Sequence, residues 1–123
     1  MKQIKIGGQP GRQGDVLLVR VAESAVTAEH KPVPRENGAV ILALGESSMH
    51  AHVFRDPGVC MLRREGVDVE PLLTVESLCD LVTEGGEMAP GVPRHPPIPV
   101  PPGTYRIITQ RQWSGEEVRP VGD

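Results

Sequence analysis

The 123-residue chain is the size of one domain, and its net charge of −3 argues against a generic binder of nucleic acid or of an anionic membrane surface, because phosphate affinity comes from Lys and Arg. Leu, Ile, Val and Phe supply 32 residues, enough for a core, while Gly and Pro together supply 27, which marks a folded but loop-rich chain. Phe54, Tyr105 and Trp113 are the only aromatic residues of their types, so the sixteen valines are expected to build a small core that gains stability from oligomerisation, a bound ion, or both.

Gln3 to Ile6 reads as a short edge strand, followed by a glycine-rich loop to Gly14. Asp15 to Ala22 is nearly all apolar and reads as a strand buried on both faces. A connection, Glu23 to Asn37, ends in the turn signal Asn37-Gly38, and Gly38 to Leu44 is a second strong strand. Met49 to Phe54, Val59 to Arg63 and Val67 to Leu72 are short and β-leaning, with turns at Asp56-Pro57-Gly58 and Arg64-Glu65-Gly66, which gives a meander.

Thr74 to Glu84 has helical spacing: Val75, Leu78, Cys79 and Val82 fall at i, i+3, i+4 and i+7, with Thr74 and Gly85 as caps. A strand over Leu78 to Val82 is the competing reading. Seven of the thirteen prolines lie between Pro90 and Pro102, so residues 85–102 read as a Pro/Gly-rich loop or arm on the surface or along a sheet edge. Pro101-Pro102-Gly103-Thr104 then turns into a final strand, Tyr105 to Trp113, and residues 114–123 form a polar tail. The expected fold is a single all-β domain over residues 1–123, a small meander-rich barrel or sandwich with one short helix.

The histidines carry the chemistry. His50-Ala51-His52 follows a strong strand, and on an extended segment residues i and i+2 face the same way, so two imidazoles project side by side. Neutral imidazole suits Zn, Fe, Ni and Cu, which this pattern does not distinguish. His95, in a proline-stiffened stretch just before the last strand, is the best third ligand, ahead of His30 in the solvated Glu29-His30-Lys31. Three imidazoles would leave positions open for water or substrate. Glu46 is a candidate carboxylate partner, as ligand or as a group orienting an imidazole, although a charged turn residue needs no such role. Cys60 and Cys79 lie in apolar runs without a metal-type spacing and read as buried, reduced thiols. Nucleotide-loop and nucleophile-elbow motifs are absent.

The stretch Leu42-Ala43-Leu44-Gly45-Glu46-Ser47-Ser48-Met49-His50-Ala51-His52 resembles the signature of small uncharacterised bacterial and phage proteins, which runs Leu-Ala-x-Gly-Glu-x-Thr-Gly-His-Ala-His. Gln13 to Leu18, Lys31 to Arg35, His95 and the block Pro101-Pro102-Gly103-Thr104-Tyr105-Arg106 resemble the same family. The resemblance implies a compact β protein with a His-lined site and no particular reaction. Ser48-Met49 departs from the Thr-Gly of the pattern, and Leu81-Val82-Thr83-Glu84 stands where relatives carry His-x-x-His. The cupin barrels share an H-x-H step and a P-x-G turn, but no Glu follows His52 at three to five residues and no His follows Gly103, so cupin catalysis is not carried over.

Two functions compete at this stage. One is a small metal-binding β protein with His50, His52 and His95 as ligands to a divalent transition metal. The other is a non-enzymatic module that oligomerises or binds a protein partner, its proline-rich arm reaching across a neighbour. No apolar run spans a membrane and no leader is visible, so a cytoplasmic location is expected.

Overall fold

The computed structural model describes residues 11–44, 50–66 and 70–109. The expected strand at Gln3 to Ile6, Glu46, Trp113 and the 114–123 tail lie outside the described residues. Ten strands are described: β1 Gly11–Gln13, β2 Val16–Val21, β3 Lys31–Pro32, β4 Val40–Leu44, β5 Ala51–Phe54, β6 Val59–Arg63, β7 Leu72–Val75, β8 Cys79–Glu84, β9 Ile98–Val100 and β10 Gly103–Thr109. They form two antiparallel sheets, ordered β1-β2-β10-β7-β6-β3 and β4-β5-β8-β9. Neither sheet closes into a barrel, and the architecture is an all-β sandwich.

The core lies between the sheets. Val16, Leu18, Val59, Met61, Leu73, Val75, Tyr105 and Ile107 come from the larger sheet, and Val40, Phe54, Leu81, Ile98 and Val100 from the smaller. Valine is prominent, as its frequency implies, but the two largest fully buried side chains are Tyr105 and Phe54. Burying a phenol requires a partner for its hydroxyl. Tyr105 Oη donates to Pro101 O at 2.7 Å and accepts from Arg20 Nη2 at 3.3 Å.

Several sequence expectations need correction. The strand expected to be buried on both faces is buried on one: Val16 and Leu18 are inside, while Leu17 and Val19 are part-exposed. An antiparallel sheet with one face toward water produces this alternation. The short helix over Thr74 to Glu84 is absent, and the only helical turn among the described residues is a 3-10 turn, Glu23–Ala25. Thr74 and Val75 end β7, a bend follows, and β8 begins at Cys79. Leu78, which a helix would bury, is 65% exposed. Val75 pairs with both Val59 and Gly103, and β8 pairs with β5 and β9. Those long-range ladders, filled by β-branched side chains such as Val75, Val82 and Thr83, outweigh the local helical spacing.

Within the proline-rich stretch, Ile98–Val100 form β9 at the edge of the smaller sheet. Pro99 sits exposed in the edge strand β9, opposite Asp80, where a missing N–H costs least. At the other end of the chain, Gly11–Gln13 is strand rather than loop. It pairs with β2 through the tight turn Gly14-Asp15, where Gly14 takes φ 59°. β1 and β9 lie alongside each other at the seam between the two sheets.

Candidate metal centre at the sheet seam

The candidate site forms at that seam. His50 immediately precedes β5 and His52 lies within it, and they are 2% and 0% exposed. The i, i+2 relation puts both rings on one side of the segment, with centroids 5.0 Å apart. His95 arrives from the chain leading into β9 and is half-buried. Its ring centroid is 5.7 Å from those of both His50 and His52.

Thr83 explains how a loop residue is placed so close to a strand. It lies opposite His52 in the β5–β8 ladder. Its Oγ1 accepts from the His95 backbone N–H and donates to the His95 carbonyl, each at 3.3 Å. One buried hydroxyl therefore registers His95 against the strand that carries His52.

The three histidines offer one nitrogen each, all within 4.8 Å of one another. Ligand nitrogens around a tetrahedral zinc at ~2.1 Å stand about 3.4 Å apart. The nitrogens would have to draw together by up to about 1.4 Å to share one such ion. The donor set is of the right type for a transition-metal ion.

Gln13, at the end of β1, fixes the chemistry of His52. Its Nε2 donates to Leu81 O at 2.9 Å and to Pro96 O at 3.0 Å. Those two carbonyls can only accept, so the amide orientation is set and Oε1 faces His52 Nδ1 at 3.0 Å. Nδ1 must then carry the proton that Oε1 accepts, which leaves Nε2 of the neutral ring as the ligand atom. This is the arrangement that orients metal-binding imidazoles in general.

Asp15 brings a carboxyl group to the same place. The residue is 5% exposed, and its Oδ1 stands 3.7 Å from His52 Nε2. That separation is too long for a hydrogen bond but short enough for a strong charge interaction with a cation held at Nε2. Gln13, Asp15 and Thr83 were not singled out as site residues by the sequence reading. The available signals were the turn pair Gly14-Asp15 and the position of Asp15 at the head of an apolar run.

The remaining candidates separate from the cluster. His30 caps a turn far along the chain, its Nδ1 accepting from Thr27 N–H at 3.0 Å. Cys60 and Cys79 are free thiols and half-buried rather than fully buried. Burial, followed by the charges of Asp56 and Asp80, pushes the Cys79 thiol up to about 11.

Fold and site together define an all-β sandwich with a buried histidine cluster at the seam of its sheets. A family profile matches residues 12–110, and the chain belongs to that family, described as Domain of unknown function (DUF8820). No curated protein and no solved structure matches the chain.

Proposed function

We propose that this protein binds one divalent transition-metal ion through His50, His52 and His95. The observation that carries the reading is the convergence of three imidazole nitrogens within 4.8 Å at a place where Gln13 presets the tautomer of one of them. Three neutral nitrogens bound to one ion leave positions for water or a substrate oxygen, and such an ion acts as a Lewis acid. Asp15 offsets part of the dication's charge.

Metal analysis of untagged protein by mass spectrometry tests this. About one equivalent of metal per chain is expected, falling to trace levels in His52→Ala. His95→Ala, altering a half-buried residue, guards against a folding defect and should show the same loss. Folded protein without metal, or variants that keep full stoichiometry, would contradict the proposal.

A second reading, a non-enzymatic module for assembly, draws on exposed apolar side chains: Leu78 at 65%, Met88 at 62% and Val92 at 48%. Light scattering decides it. A multimer that dissociates in Met88→Ser/Val92→Ser supports assembly through these side chains, and an unchanged mass in the double variant refutes it.

A further inference from the structure

Resting on that metal reading, the larger sheet offers the ion a fourth donor. Gln13 and Asp15 stand on either side of Gly14 in the tight turn between β1 and β2. The Gln13 amide donates to Leu81 O of β8 and to Pro96 O, so this end of the hairpin is held against the smaller sheet. The two residues then address the two nitrogens of one ring. Gln13 Oε1 faces His52 Nδ1 at 3.0 Å, and Asp15 Oδ1 stands 3.7 Å from His52 Nε2. Asp15 and His52 are both buried.

The 3.7 Å gap is informative. It exceeds hydrogen-bond reach, whichever side carries a proton. It does fit an ion bonded to both atoms: two donors at ~2.1 Å from one zinc stand about 3.0 Å apart at a right angle and about 4.2 Å apart in line. Nε2 is the nitrogen that the Gln13 contact leaves as ligand atom, so the carboxyl lies beside the lone pair that would hold the ion. The atoms mutually within 4.8 Å are those of the three histidines. Asp15 therefore joins the coordination sphere along its His52 edge. A carboxylate oxygen is an ordinary zinc ligand, and it supplies the negative charge that three neutral imidazoles lack.

We propose that Asp15 is the fourth protein ligand of the ion, giving three nitrogens and one oxygen. His50 and His52 come from β5 and its approach, His95 from the chain leading into β9, and Asp15 from the β1–β2 turn, so the ion joins the two sheets by direct bonds. Four protein donors close a tetrahedral centre, which is the pattern of structural zinc. With zinc the site is a clamp between the sheets, and only an ion that takes five or six ligands keeps a position for water or substrate.

X-ray absorption at the zinc edge tests this with Asp15→Cys, which replaces an oxygen donor by sulfur. Wild-type protein should show only nitrogen and oxygen neighbours, and the variant should show one sulfur at ~2.3 Å beside the imidazoles. In chelator competition, Asp15→Asn, nearly unchanged in shape, should lower zinc affinity by ~10-fold or more, at least what losing an orienting partner costs. Zinc held by imidazoles without sulfur in Asp15→Cys, or unchanged zinc affinity in Asp15→Asn, overturns Asp15 as a ligand and leaves the histidine reading standing. Folded wild-type protein that takes up no zinc overturns the metal reading and the fourth ligand with it.

Discussion

Gln13 shows how much a single amide can set. It is 3% exposed and makes three hydrogen bonds, to Leu81, Pro96 and His52. Gln13→Leu removes both donors and the acceptor at nearly constant volume. Metal affinity should fall by about 10- to 100-fold, the usual effect of losing an orienting partner. Removing the donor to the buried Leu81 carbonyl should also cost about 1–3 kcal/mol in chemical denaturation. Unchanged metal affinity would remove Gln13 from the site. Cys79 gives a pH-dependent check on the same scale. With its thiol pushed up to about 11, it stays protonated through neutral and mildly basic pH. Since the thiolate is the nucleophile, Cys79 should react with iodoacetamide at pH 8 roughly 100-fold more slowly than a thiol of ordinary pKa. Alkylation at the rate of a small free thiol would contradict its placement. On the surface, the Arg55 guanidinium grips Glu84 through two 2.7 Å hydrogen bonds, and these hold the Glu84 carboxyl below the usual carboxylate range. The pair's contribution is therefore present above the unfolded pKa of Glu84 and is lost as pH falls through the depressed folded value. Carbon-detected NMR should place the Glu84 midpoint below that of an exposed glutamate, and Arg55→Gln should return it to the ordinary range.

Elements differed in how plainly their sequences announced them. The turn at Asn37-Gly38 was legible because these residue types tolerate positive φ, and they take it, at 53° and 78°. Gly38→Ala places a Cβ no nearer than 3.9 Å to Arg55, so space is not the difficulty. Backbone strain at positive φ should still lower stability by about 1 kcal/mol, measurable as a reduced Tm. The two-strand reading of 72–84 was harder to see. Val75, Leu78, Cys79 and Val82 satisfy a helical period, and only the partners β5, β6, β9 and β10, remote in sequence, show that this stretch belongs to two different sheets. The H-x-H step was readable because strand periodicity is local. Convergence of His95 was a matter of inference, since it depends on Thr83 lying opposite His52. Gln13 was not readable as a site residue at all, because its role exists only once β1 lies beside β9.

At the scale of the whole molecule, the site sits where the two sheets meet. Gln13 and Asp15 belong to the hairpin of the larger sheet, while His50, His52 and Thr83 belong to the smaller. An ion held there would tie the sheets through the Gln13–His52 bond and the charge of Asp15. Metal that binds only the folded chain stabilises it by about 2.7 kcal/mol at a free concentration 100 times its Kd. For a chain of this size that is a rise in Tm of about 10 °C, reversed by a chelator.

X-ray absorption at the zinc edge reports directly on the ion's surroundings. Zinc-loaded protein should show three imidazole nitrogens at ~2.0–2.1 Å, and this imidazole-bound zinc signal should be lost in His50→Ala, His52→Ala and His95→Ala alike. A shell made only of oxygen, or one indifferent to all three substitutions, would mean that the histidine cluster is part of the sandwich's packing and not a metal centre.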